Sequence, residues 1–156
     1  MAKTLEEVIA QKGYVVTKPK GTSMFPLIRD SKYDVYIVKP KPHLNKYDVP
    51  VYKRTTGEYV MHRILGEDKD GYICCGDNQW ILEYGVKDSQ VIGVLKEWYH
   101  KDKKKTVEDE KYKRYVKFWC KSLKRRHFIL FFCHKYMRVT GTVKEIWKKL
   151  YGKNSK

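Results

Sequence analysis

The spacing of apolar and polar positions divides the chain into a short helix, a strand-rich middle part and a helical C-terminal part. Near the N-terminus, Thr4 and Glu7 have the spacing of a capping box, and a short apolar face follows as far as Gly13. This pattern predicts a helix over residues 4–12.

From residue 14 to about residue 98, short runs rich in Val, Ile and Tyr are separated by Pro, Gly, Asn and Asp, which is typical of strands and turns. The predicted strands are YVV (14–16), DVYIVK (34–39), VPVYKR (49–54), EYVMHRIL (58–65), GYICC (71–75) and VIGVLKEWY (91–99). Hairpin turns are predicted at TTG (55–57) and EDKDG (67–71), and Pro50 marks an edge strand or the start of a strand. Because helices do not alternate with these strands, the pattern predicts a compact β-domain.

After residue 100 the apolar residues recur at helical spacing. One helix is indicated after Thr106 and Asp109, and a last helix is indicated by Thr142 and Glu145. We therefore predict a mainly β protein with two parts. Residues 1–100 form a β-domain with a short N-terminal helix, and residues 101–156 form a basic, amphipathic helical extension.

The charge of the chain is concentrated in that extension. The formal net charge is +16, yet residues 1–100 hold 15 Lys and Arg against 13 Asp and Glu, whereas residues 101–156 hold 19 against 5. From 114 to 149 the bases alternate with aromatic and aliphatic residues, as in helices that lie on anionic membranes. The extension either packs on the β-domain with a solvated basic face or contacts an anionic membrane surface. Nucleic acid is the less favoured partner, because no known binding motif is present.

Cysteine usage and the lack of long apolar runs bear on the compartment. Cys74 and Cys75 are adjacent, which is poor geometry for a disulfide, and none of the four cysteines has a CxxC spacing. We expect reduced thiols, no metal site and no cofactor. The charged N-terminus does not resemble a signal peptide, and no run approaches the roughly 20 apolar residues of a membrane span. This favours a cytoplasmic protein, held at the inner face of the membrane if the extension binds lipid.

Candidate chemistry centres on Ser23 in the segment GTSMFPLI. A serine hydroxyl becomes nucleophilic when a base takes its proton, and a third group usually orients that base. His62 is the histidine that falls inside a predicted strand of the β-domain, although its periodicity alone is typical of a buried structural residue. Asp77 and Glu83 are the candidate third groups, although the Gly-Asp-Asn sequence around Asp77 is also ordinary turn chemistry.

Six segments in a fixed order change this picture. They are GTSMFPLI, YDVYIV, YDVPVY, VMHRIL, ICCGDN and VIGVL. The ordered set resembles the serine peptidase superfamily of signal peptidases and self-cleaving repressors, over about residues 20–95. The resemblance implies Ser23 as the nucleophile, His62 as the base of the archaeal and endoplasmic-reticulum branch, and Asp77, favoured over Glu83, as the third member. It implies a signal-peptidase-like fold and a serine endopeptidase that cleaves a peptide or precursor protein through an acyl-enzyme.

Departures from the family pattern support an alternative. Gly21 stands where many signal peptidases have a serine that assists the oxyanion hole, and Tyr33-Asp34 and Tyr47-Asp48 replace two Gly-Asp strand entries. The membrane enzymes of the family also carry a transmembrane anchor, which this sequence does not predict. The alternative is a catalytically inactive module of the same fold that acts through its basic extension on a membrane, nucleic acid or a partner protein.

Overall fold

The structure is a computed structural model that describes residues 3–140, with side chains described for residues 3–136. The α-helices of this part are α1 (Leu5–Lys12), α2 (Glu110–Cys120) and α3 (Leu123–Thr140), and a 3₁₀-helical turn covers Asp88–Gln90. The strands are β1 (Tyr14–Thr17), β2 (Asp34–Val38), β3 (Pro50–Lys53), β4 (Tyr59–Met61), β5 (Arg63–Asp68), β6 (Gly71–Cys75), β7 (Glu83–Val86), β8 (Val91–His100) and β9 (Lys103–Thr106). The predicted helix that begins near Thr142 lies outside the described residues.

The prediction of a mainly β protein with a short N-terminal helix and a helical C-terminal part is confirmed. Strand residues outnumber helical residues, 34% against 27%, and a short N-terminal helix and two C-terminal helices flank the strands. No helix in the described part of the chain combines the length and apolarity needed to cross a bilayer.

The strands form two antiparallel sheets. In the larger sheet the order is β1-β2-β8-β3-β4, and β9 pairs with the far end of β8. The smaller sheet has the order β5-β6-β7. Pro50 is the first residue of β3, which lies between β8 and β4, so the proline marks a strand start as the sequence suggested. Both predicted hairpin turns are present, between β3 and β4 and between β5 and β6.

The prediction of one strand over 58–65 is wrong. The chain leaves the larger sheet after β4, and β5 begins at Arg63 in the smaller sheet, so that His62 stands at the passage between the two sheets. Both halves are extended, and the alternation of residues therefore continues through the passage. Alternation does not reveal which neighbouring strand each half pairs with.

Two strands, β7 and β9, were not predicted. Their sequences are EYGV and KKKT, and neither has the run of apolar and β-branched residues that signals a strand. They form because the edges of β6 and β8 offer backbone hydrogen-bond partners. Tertiary pairing here overrides local propensity.

The buried apolar residues form two clusters. The cluster on the larger sheet includes Ile9 of α1, Met24 and Ile28 of the loop after β1, and Tyr112 and Val116 of α2. The second cluster lies between the two sheets and consists of Leu44, Tyr52 of β3, Ile64, Tyr72, Cys74 and Val86. Helix α1 has the predicted capping box, in which the Thr4 and Glu7 side chains each accept a hydrogen bond from the other residue's backbone N–H.

The chain divides into two compact units, Met1–Lys121 and Ser122–Lys156. The first unit therefore extends beyond residue 100, where the sequence placed the boundary. The physical reason is that β9 pairs with β8 and that α2 buries Tyr112, Val116 and Trp119 within the first unit. In the second unit, α3 begins after Ser122, whose Oγ accepts a hydrogen bond from the Arg125 backbone N–H at 3.2 Å.

Candidate active site

Ser23 and His62 line one cleft on the larger sheet. The cleft has a volume of about 730 Å³. Its lining includes residues of segment 17–24, which begins at the end of edge strand β1, and residues of β4, the edge strand at the opposite end of the sheet order. Apolar side chains from β2 and β3 contribute to the lining, and the volume falls in the range of roughly 300–1,000 Å³ that is typical of ligand pockets.

Ser23 lies in a tight series of turns that the backbone holds in place. The Gly21 backbone adopts φ +91°, which glycine tolerates without strain, and its N–H donates to Asp30 Oδ1 at 3.2 Å. On the other side of Ser23, the Ile28 N–H donates to the Met24 carbonyl at 2.9 Å, and both of these side chains are buried in the core. The position of the Ser23 hydroxyl is thus set by a folded segment and not by a free loop.

The turn at Gly76-Asp77-Asn78 contacts the segment that carries Ser23. The Asn78 N–H donates to the Ser23 carbonyl at 2.7 Å. A Cβ placed on Gly76 would lie 2.6 Å from the same carbonyl oxygen, so the close approach requires a glycine there. This turn therefore contacts the candidate nucleophile through its backbone.

His62 is buried, and its Nδ1 atom faces two oxygen atoms. Nδ1 lies 3.3 Å from Tyr52 Oη and 3.5 Å from Glu83 Oε2. The Tyr52 hydroxyl donates its one proton to Glu83 Oε2 at 2.7 Å, so towards His62 it acts as an acceptor. Both neighbours accept, and the neutral imidazole therefore carries its proton on Nδ1. The lone pair is left on Nε2, which is the atom that a general base uses.

Glu83 is held as a carboxylate by Arg54. Arg54 Nε donates to Oε1 at 2.8 Å and Nη2 donates to Oε2 at 2.7 Å, a bidentate pair. These hydrogen bonds hold the pKa of Glu83 below its ordinary value. Burial lowers the pKa of His62 below 6.5, and the Glu83 carboxylate opposes part of that shift. At neutral pH the site therefore contains a neutral imidazole beside an ionised carboxylate.

The carboxylate of Asp77 has other partners, which corrects the role that the sequence favoured for it. Arg63 Nε and Nη2 donate to its two oxygens at 2.9 and 2.6 Å, and the Tyr115 hydroxyl donates to Oδ2 at 2.9 Å. Arg63 and Asp77 are both 0% exposed. The Asp77 carboxylate is thus engaged by Arg63 and Tyr115 in the interior. The carboxylate next to His62 Nδ1 is that of Glu83, which the sequence had favoured less than Asp77.

Ser23 and His62 share the cleft but are not hydrogen-bonded to each other. Within the described part of the chain, the Ser23 hydroxyl has no hydrogen-bond partner. Direct proton transfer between the two side chains would therefore require them to come closer together. Catalytic hydrogen bonds commonly tighten in this way when the substrate is bound.

Sequence reasoning missed Tyr52 and Arg54. Tyr52 reads as an ordinary aromatic residue of an alternating strand, and Arg54 reads as a charge beside a hairpin turn. No local signal distinguishes them, because their importance arises from their meeting with Glu83, about thirty positions away. Among the described residues no group of three or more His, Cys, Asp or Glu side chains is arranged to hold a metal ion.

No family model, no curated protein and no solved structure matches the chain. Its function is therefore inferred from the residues of the cleft and their arrangement.

Proposed function

We propose that the protein is a serine endopeptidase of the signal-peptidase type, which cleaves a peptide or precursor protein in the cleft between residues 17–24 and β4. The observation that carries this proposal is that Ser23 and His62 line one cleft while His62 Nδ1 faces the Tyr52–Glu83 pair. This arrangement leaves Nε2 as the basic atom of a neutral ring.

The proposed reaction is acyl transfer. His62 Nε2 takes the proton of Ser23 Oγ as that oxygen bonds to the carbonyl carbon of the substrate. The C–N bond then breaks, and the same proton passes from His62 to the leaving amine. Water, activated by His62 in turn, hydrolyses the ester and restores Ser23. The Ser23 backbone N–H, which donates to no described residue, is the candidate donor to the oxyanion, a contribution of about 3–4 kcal/mol.

Glu83 and Tyr52 have a positioning role in this scheme. When His62 becomes an imidazolium, its Nδ1–H faces the Tyr52 oxygen and the Glu83 carboxylate, which stabilise the positive charge. Arg54 keeps Glu83 ionised and fixes its orientation. Asp77 stabilises the fold through Arg63 and takes no part in the proposed reaction.

The direct test is covalent labelling with a fluorophosphonate. Ser23 Oγ bonds to phosphorus as fluoride leaves, with His62 accepting the hydroxyl proton. After tryptic digestion the added mass is expected on the peptide GTSMFPLIR (residues 21–29), which contains no serine except Ser23. Ser23→Ala should abolish the label and His62→Gln should slow it, whereas Ser89→Ala, a change at an exposed serine of the Asp88–Gln90 turn, should leave it unchanged.

An unlabelled Ser23 in the wild-type protein would contradict the proposal. It would favour the second candidate function, an inactive module of the same fold. The observation that speaks for that function is the missing hydrogen bond between Ser23 and His62. The same labelling experiment therefore decides between the two functions.

The pH dependence of cleavage separates Glu83 from other carboxylates. Cleavage needs neutral His62, so kcat/KM falls as the pH drops through the pKa of His62. Because the Glu83 carboxylate raises that pKa, Glu83→Gln is expected to move the acid limb to lower pH. The same change should lower kcat by roughly 10²–10⁴-fold. Glu58→Gln is the matched control, since Glu58 also bonds Arg54 but is exposed. If the acid limb of the pH profile does not move in Glu83→Gln, Glu83 has no part in the proposed mechanism.

A further inference from the structure

Helix α3 exposes three phenylalanine rings that contact one another. Phe128, Phe131 and Phe132 are 63%, 54% and 51% exposed. The centroids of Phe128 and Phe132 are 4.6 Å apart, and those of Phe131 and Phe132 are 5.6 Å apart. We call these three residues the phenylalanine patch. Contiguous exposed rings of this kind mark a surface that contacts another apolar body.

Cations stand at both ends of the patch on the same helical face. Lys124 lies four positions before Phe128, and Lys135 lies four positions after Phe131, which is the spacing of neighbours along one face of a helix. Both lysines are exposed. At a rise of about 1.5 Å per residue, the face runs from cation through aromatic rings to cation over roughly 16 Å.

The charge of α3 has one sign. The helix carries five Lys or Arg residues and no Asp or Glu. An apolar patch alone would fit many partners, but this patch requires one that combines an apolar interior with a dense layer of negative charge. A bilayer with anionic headgroups has both, within the depth that a helix lying in its surface samples.

We propose that α3 binds an anionic lipid bilayer with its axis parallel to the surface. The phenylalanine patch enters the boundary of the acyl chains, and Lys124 and Lys135 remain at the level of the phosphates, where their long side chains reach outward. A nucleic-acid duplex would satisfy the cations, yet its bases are already stacked on one another, so the rings of the patch would stay in contact with water. The proposal is independent of the peptidase chemistry, so Ser23→Ala should bind lipid as the wild type does.

The test uses the full chain and vesicles that are pelleted or floated. Vesicles of phosphatidylcholine with about one third phosphatidylserine are expected to bind the protein at least 10-fold more tightly than phosphatidylcholine alone. Raising the salt from about 0.1 M to about 0.5 M should weaken that binding, because screening shortens the reach of the charges. Equal binding to both kinds of vesicle, or binding to neither, would overturn the proposal.

Two sets of variants locate the surface. Replacement of all three phenylalanines of the patch by alanine should lower the affinity for anionic vesicles at least 10-fold, whereas Tyr84→Ala, at a tyrosine 61% exposed in β7, should not. Lys124→Gln with Lys135→Gln should reduce the preference for anionic lipid, and Lys32→Gln with Lys69→Gln, also exposed, should preserve it.

Folding and the competing partner are checked in the same series. The unfolding midpoint of each variant shows whether the fold is intact. If the triple variant is destabilised, single replacements at Phe128 and Phe132 take its place, each with a several-fold loss expected. A DNA oligonucleotide that binds more tightly than the vesicles, and does so through the patch, would overturn the lipid assignment in favour of nucleic acid.

Discussion

Ser23→Ala is expected to lower the rate of peptide cleavage by about 10⁴-fold or more, since removal of the nucleophile leaves only binding and oxyanion stabilisation. The stability of the protein should hardly change. The Ser23 hydroxyl has no hydrogen-bond partner in the described part of the chain, so its loss leaves no buried polar group unsatisfied. The turn itself is held by backbone hydrogen bonds and by the buried Met24 and Ile28.

The measurement is the initial rate of cleavage of a peptide library, with products identified by mass spectrometry. Ser89→Ala is the matched control and should cleave at the wild-type rate. His62→Gln should lose as much activity as Ser23→Ala, and the double variant should lose no more than either single variant, because residues that act as one unit are not additive. Persistent turnover by Ser23→Ala would rule out the acyl-enzyme mechanism.

Arg63→Met is expected to lower the free energy of unfolding by about 3–5 kcal/mol at neutral pH. Methionine approximates the length of the side chain but leaves the Asp77 carboxylate buried without its cation. Arg63 also donates from Nη1 to Tyr112 Oη at 2.7 Å and to the Tyr47 carbonyl at 3.1 Å, and those acceptors lose a partner as well. Denaturant unfolding, followed by circular dichroism, measures the loss.

The matched control is Lys113→Met, which removes an ion pair with Glu110 whose side chains are 53% and 78% exposed. An ion pair that is exposed to water contributes little to stability, so the effect of this change should be small. The double variant Arg63→Met with Asp77→Asn should recover part of the loss, because no uncompensated charge remains. If Arg63→Met lowers the free energy of unfolding no more than the control does, the buried pair does not stabilise the fold.

The buried pair also connects α2 to the candidate site. Tyr115 donates to the Asp77 carboxylate, and Trp119 Nε1 donates to the Asp77 carbonyl at 2.8 Å. The next residue, Asn78, donates to the carbonyl of Ser23. We therefore expect a change that releases Arg63 to disturb the turn that carries Ser23, the candidate nucleophile. Activity should then fall together with stability, even though neither Arg63 nor Asp77 lines the cleft.

Local features of the fold could be read from the sequence because their causes are local. The capping box at Thr4 and Glu7 satisfies N–H groups within one helical turn, and the hairpin turns depend on the residues between paired strands. By contrast, β9 exists because β8 extends beyond β3 and offers a free edge to the lysine-rich segment. The sequence of Lys103–Thr106 contains no local signal for pairing with β8.

The choice between Asp77 and Glu83 shows the same limit within the site. Both acids follow the histidine in sequence, and the Gly-Asp-Asn pattern favoured Asp77. The outcome depends on which cation reaches which carboxylate: Arg63 bonds to Asp77 in the interior, and Arg54 bonds to Glu83 beside the cleft. These pairings span 14 and 29 positions of the chain, so neighbouring residues in the sequence carry no information about them.

The strand-rich class and the N-terminal helix with its caps followed from the sequence alone, because each depends on residue types at short spacing. The ordered segments of the sequence also pointed to Ser23 and His62, whose catalytic roles remain a proposal. Only the tertiary structure decided that the chain changes sheets at His62, that Glu83 with Tyr52 faces its Nδ1, and that α2 belongs to the first unit. The physical reason is that hydrogen bonds and buried charges are satisfied between distant segments, and their partners are chosen when the two sheets and α2 come together.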